Sequence, residues 1–94
     1  MAESLDSLRV RIDAIDRELL KLLNERMQIA IEVVKAKRPM NKAIFDPPRE
    51  VALLDKLAAL NPGPLSNEGL FNIYKVILEE SRIRQALFGE EASS

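Results

Sequence analysis

An all-α chain of three helices that pairs with a second copy of itself is what this sequence predicts, on three observations. The first is punctuation: no Gly or Pro occurs between Leu5 and Arg38, whereas all five prolines fall between Pro39 and Pro64. Such breakers divide the chain into three helical runs and two connections. The second is period. Apolar residues step by three and four through Leu5, Leu8, Ile12, Ile15, Leu19, Leu22, Ile29, Val33 and Ala36, the spacing of a helical seam. The third is composition: only 4% of the 94 residues are aromatic, while Leu, Ile and Ala abound, which favours helices over sheets.

Helix 1 is expected over about 5–37, with Ser4 as N-cap and Pro39 closing it. Its rise of ~1.5 Å per residue makes a rod of ~50 Å. A compact monomer of this length would be a ball of ~32 Å diameter. The rod overshoots that ball and needs a partner along part of its length, most simply a second copy. Helix 2, about 47–60, starts with Asp46 as N-cap and Pro47 in the first turn. It turns Val51, Leu54, Leu57 and Ala58 inward and stops at Asn61-Pro62-Gly63-Pro64. Helix 3, about 67–88, is capped by Ser66 and carries an inward line of Leu70, Tyr74, Ile77, Ser81, Gln85 and Phe88. Gly69 in its first turn is a mild cost. Residues 1–94 read as a single domain in which 89–94 form a solvated tail or the stub of a linker.

Composition removes several kinds of chemistry. Lys plus Arg number 14 against 15 Asp plus Glu, a formal net charge of -1, so nothing global attracts nucleic acid or an anionic membrane. The chain has no Cys and no His. Disulfides, thiolate nucleophiles, imidazole triads and the usual zinc sites are therefore excluded. No run approaches the ~18 apolar residues of a membrane span, and the N-terminus lacks the features of a secretory signal. A cytoplasmic location is expected.

The informative positions are polar residues that interrupt apolar seams. Arg26 sits where the stepping from Leu22 to Ile29 passes. Lys37 lies eleven residues on, at nearly the same angle of the helix. Ser81 and Gln85 are one turn apart on the inward face of helix 3, and Glu50 shares the face of Leu54 and Leu57. Each has an ordinary explanation by itself: a snorkelling Arg, helix-dipole partners at Lys37 and Glu50, a small packing hydroxyl, a core amide, and an N-cap at Asp46. Together they place two cations, an amide, a hydroxyl and a carboxylate in one apolar interior, which is costly without a ligand. Arg9 lies ~25 Å from Arg26 along the rod and about 100° around it, too far to reach the same ligand. If a second helix 1 pairs antiparallel about residue 21, however, the partner's residue 9 falls level with residue 33, between Arg26 and Lys37. A two-fold dimer would thus hold two equivalent sites built across its interface. Such a pocket suits a small dianion that carries a hydroxyl. Without a good nucleophile or a neutral-pH acid–base pair, it could promote a reaction whose transition state only redistributes charge.

The segments Leu8-Arg9, Ile12-Asp13-Ala14-Ile15-Asp16, Leu22-Leu23-Asn24-Glu25-Arg26, Val33-Val34-Lys35-Ala36-Lys37, Asp46-Pro47-Pro48-Arg49-Glu50 and Glu80-Ser81-Arg82-Ile83-Arg84-Gln85 carry a resemblance. In this order and spacing the chain resembles the all-helical class of chorismate mutase, including the N-terminal domain of bifunctional chorismate mutase–prephenate dehydratases. The resemblance covers about residues 5–88. It implies an intertwined helical homodimer and the Claisen rearrangement of chorismate to prephenate, with no cofactor and no metal, in phenylalanine and tyrosine biosynthesis. It implies that Arg26 and the partner's Arg9 hold the two substrate carboxylates. Lys37 and Gln85 would contact the ether oxygen, Glu50 would accept from the ring hydroxyl, and Ser81 would help orient a carboxylate. Asp46 and Arg49 would line and support the site. Because an amide does not ionise and lysines ordinarily titrate well above neutrality, activity is expected to stay flat from about pH 5 to 8. The match departs from the family's pattern most in the connection from Pro39 to Phe45. Rival readings are an isochorismate pyruvate-lyase of the same fold and a non-catalytic helical dimerisation or regulatory module.

Overall fold

A computed structural model describes residues 2–37 and 45–89. The residues expected to close helix 1 and most of the following connection lie outside it, as do 90–94. The described chain forms α1 (Leu5–Lys37), α2 (Pro47–Leu60) and α3 (Asn67–Arg84), and the last runs on into a π-helical turn, Gln85–Gly89.

Each start is chemically specified. The Ser4 hydroxyl accepts from the Ser7 amide at 3.1 Å. Asp46 Oδ1 accepts from the Arg49 amide at 3.2 Å, with prolines in the first turn where no amide proton is missed. Ser66 Oγ accepts from the Gly69 amide at 3.0 Å. A Cβ at position 69 would lie 3.1 Å from that hydroxyl and 3.2 Å from Leu65 Cδ1, which accounts for the glycine in a helix. The α2–α3 turn is tied by Asn61, whose Nδ2 donates to Leu65 O and Asn67 Oδ1, both at 2.8 Å.

The chain is elongated, 59 × 27 × 15 Å, with a radius of gyration of 17.0 Å against ~12 Å for a compact ball of this length. α1 packs along α3 and its π-helical extension, and α2 packs on α3. Ala30, Val34, Leu70 and Leu78 make the small buried core, and Val34 is 1% exposed.

Which faces pack departs from expectation in three places. The seam expected on α1 is largely uncovered: Leu5, Leu8, Ile12, Ile15, Leu19, Leu22 and Ile29 are all exposed. The chain instead packs the neighbouring stripe of Leu23, Met27, Ala30 and Val34. In α2, Val51 points to solvent while Glu50, Leu53, Leu54, Leu57 and Ala58 form the half-buried face. At the end of α3, Phe88 is exposed rather than inward, because the π turn from Gln85 shifts the angular register beyond it. Arg84 covers the Phe88 ring at 5.6 Å. No helix among the described residues is long and apolar enough to cross a membrane.

Candidate active site

Three helices converge on one cavity of about 310 Å³. α1 lends Arg26, Ala30, Val33 and Lys37. The start of α2 lends Asp46, Arg49 and Glu50, and α3 with its π turn lends Leu78, Ser81, Arg82 and Gln85. Seven of the eight residues singled out in the sequence therefore line a single space. The eighth, Arg9, is exposed on the far part of α1 and does not line it.

Arg26 is placed by Ser81. Its Nη1 donates to Ser81 Oγ at 2.7 Å across the α1–α3 contact. The Ser81 hydroxyl has one proton and lies 2.8 Å from the Ile77 carbonyl and 3.6 Å from Met27 Sδ. The carbonyl is the nearer and stronger acceptor, so the hydroxyl donates there and presents a lone pair to the guanidinium. In this arrangement Ser81 acts on Arg26, rather than offering its own proton to a carboxylate. A hydroxyl held this way has no base to activate it as a nucleophile.

Gln85, 9% exposed, donates through Nε2 to the Ala30 carbonyl at 2.9 Å. A carbonyl only accepts, which fixes the orientation of the amide and leaves its second N–H as a donor. Glu50 pairs with Arg82, Nη1 to Oε2 at 2.6 Å, and the Arg82 guanidinium stands 4.9 Å from the centre of the Phe45 ring. Arg82 is the site residue that sequence reasoning missed. It sits beside Ser81 on a helix rich in charges, and nothing in its spacing separates it from an exposed arginine. Lys37 closes α1 and lines the cavity eleven residues beyond Arg26, at nearly the same helical angle.

The lining holds four cations, Arg26, Lys37, Arg49 and Arg82, and two carboxylates, Asp46 and Glu50. With Glu50 and Arg82 paired, the remaining surplus is positive and suits a small dianion. Fixed donors without a nucleophile define a site that works by binding and by stabilising charge. The class these features define is a helical fold with a cationic cavity between its helices.

The chain belongs to the chorismate mutase type II family, which it matches over residues 8–86. It is 30% identical to a chorismate mutase of Methanocaldococcus jannaschii, across 100% of this chain and 96% of that protein. It is 33% identical to a bifunctional chorismate mutase/prephenate dehydratase of Stutzerimonas stutzeri, across 98% of this chain. The match spans 28% of the length of that bifunctional relative. Among solved structures, chorismate mutase form II of Thermus thermophilus superposes with a TM-score of 0.86 at 32% identity, covering 90% of this chain and 97% of that one. The Helicobacter pylori chorismate mutase in complex with prephenate gives 0.80 at 34% identity, covering 87% and 89%.

Proposed function

We propose that this chain catalyses the rearrangement of chorismate to prephenate, as a cytoplasmic homodimer with two sites that each use both subunits. The observation that carries this reading is the single cavity on which Arg26, Lys37, Asp46, Arg49, Glu50, Ser81 and Gln85 converge, with a cationic surplus. In the reaction the ether C–O bond breaks as a new C–C bond forms, and negative charge grows on the ether oxygen. Arg26, braced by Ser81, takes one substrate carboxylate, and Arg9 of the partner subunit takes the other. Lys37 and the second N–H of Gln85 meet the ether oxygen, where preorganised donors stabilise the transition state more than the ground state. Glu50 accepts from the ring hydroxyl, and Asp46 and Arg49 line and support the site. No covalent step and no proton transfer to the protein is needed, in keeping with a chain that has neither His nor Cys.

The uncovered seam of α1 supports the shared-site part of this reading. Antiparallel pairing about residue 21 would cover Ile12, Ile15, Leu19 and Leu22 and bring the partner's Arg9 level with Val33, which lines the cavity. Loss of chorismate absorbance on adding the purified protein, with prephenate identified as the product, is the test. Isochorismate assayed in parallel should give no pyruvate, and chorismate left unchanged would overturn the reading.

A further inference from the structure

The structure assigns Arg82 as a positioning residue that holds the Glu50 carboxylate ready to accept the substrate hydroxyl, an inference that rests on the chorismate reading. Arg82 Nη1 lies 2.6 Å from Glu50 Oε2, and both side chains are partly buried, 35% and 26% exposed. Both line the cavity. The pair engages Oε2 and leaves Oε1 to accept from a ligand. A carboxylate facing an incoming dianion would otherwise repel it, and an adjacent guanidinium removes that cost while fixing the direction of the acceptor. Arg82 is itself steadied from the other side, its guanidinium 4.9 Å from the Phe45 ring just ahead of the Asp46 cap. Consecutive residues of α3 thereby set two parts of the site: Ser81 orients Arg26 of α1, and Arg82 orients Glu50 of α2.

Because Arg82 acts through Glu50, its effect should vanish when Glu50 cannot use it. The experiment is a double-mutant cycle in kcat/KM for chorismate, with helical circular dichroism and thermal unfolding recorded for every variant. Arg82→Leu should lower kcat/KM about ten- to a hundredfold, inside the range spanned by coupling between contacting residues. Arg82→Lys keeps the charge and should recover activity to within about fivefold of wild type, the remainder reflecting the lost planar fork and ring contact. In a Glu50→Gln background, Arg82→Leu should cost less than about twofold more. Should leucine unfold the chain, Arg82→Gln, which removes the charge and keeps a donor, takes its place in the cycle. Losses that multiply independently, or an Arg82→Leu protein as active as wild type, would overturn the role of Arg82 and leave the functional reading standing. A wild-type protein inert towards chorismate would instead overturn the functional reading and this inference with it.

Discussion

The first half of α1 and its second half share one helix and one apolar period, yet they meet different surroundings. From Leu23 to Lys37 the helix packs on α3 through Met27, Ala30 and Val34 and presents Arg26 and Lys37 to the cavity. From Leu5 to Leu22 almost every side chain is exposed, including Ile12, Ile15 and Leu19, each more than half so. A long row of uncovered aliphatics on a rigid rod has the character of an interaction surface. The contrast separates what one chain organises by itself, the walls of the site, from what a second copy is proposed to add, a cover for the seam and the Arg9 cation.

The largest effect is expected where the two halves meet in function. Arg26→Ala should remove about 3–4 kcal/mol of transition-state stabilisation, two to three orders of magnitude in kcat/KM, with helical content retained. Unfolding and refolding it together with Arg9→Ala sharpens the comparison. If each site takes Arg26 from one subunit and Arg9 from the other, half of the dimers in an equal mixture are heterodimers, and each of these regains one intact site of two. About one quarter of wild-type activity should then return. Mixtures no more active than their parents would break the shared site while leaving the packed half of α1 as described.

Next comes Gln85→Glu. A carboxyl can donate to the ether oxygen only while protonated. The flat profile should therefore become acid-favoured, falling about tenfold per pH unit above the ionisation of the new group. A profile as flat as wild type would remove Gln85 from the ether oxygen. Ser81→Ala should cost ~1–2 kcal/mol in kcat/KM, since the Arg26 guanidinium loses its hydrogen-bonded rest on α3. A variant with unchanged kinetics would mean that Arg26 orders itself. The smallest effect is expected at the start of α3, away from both halves of α1. There the ~1 kcal/mol propensity gain of Gly69→Ala should be largely offset by crowding against Ser66 Oγ. Thermal unfolding should move little, and a full gain would show that the cap yields freely.

Much of this could be read from residues alone, and the limits have physical causes. Caps and breakers act locally, so Ser4, Asp46-Pro47, Ser66 and the proline cluster announce their helices directly. Five of the seven site residues, Arg26, Lys37, Glu50, Ser81 and Gln85, were legible because polar side chains on apolar faces need an explanation, whereas Asp46 and Arg49 entered the site only through the family resemblance. The seam of α1 was legible as apolar, but not which part of it the chain covers by itself, because period reports which residues avoid water, not which chain shelters them. Both the Leu5–Leu22 seam and the Leu23–Val34 stripe satisfy the same spacing. Phe88 was misplaced because a π turn is invisible to a 3.6-residue ruler. Arg82 was missed because its partner, Glu50, is 32 positions away in sequence and on another helix.

The contact between the Gln85 amide and the Ala30 carbonyl ties the position proposed to meet the ether oxygen to the packing of α1 on the end of α3. An oxygen placed where Nε2 now stands would face another oxygen at about the same separation, tolerable only with a proton between them. The carboxyl introduced by Gln85→Glu would thus bind its proton more tightly in the native protein than in the unfolded chain. Native-state stability would be fully present in acid and would drain away as pH climbs through that raised ionisation. Choosing an amide there frees the scaffold, as well as the chemistry, from the acidity of its surroundings.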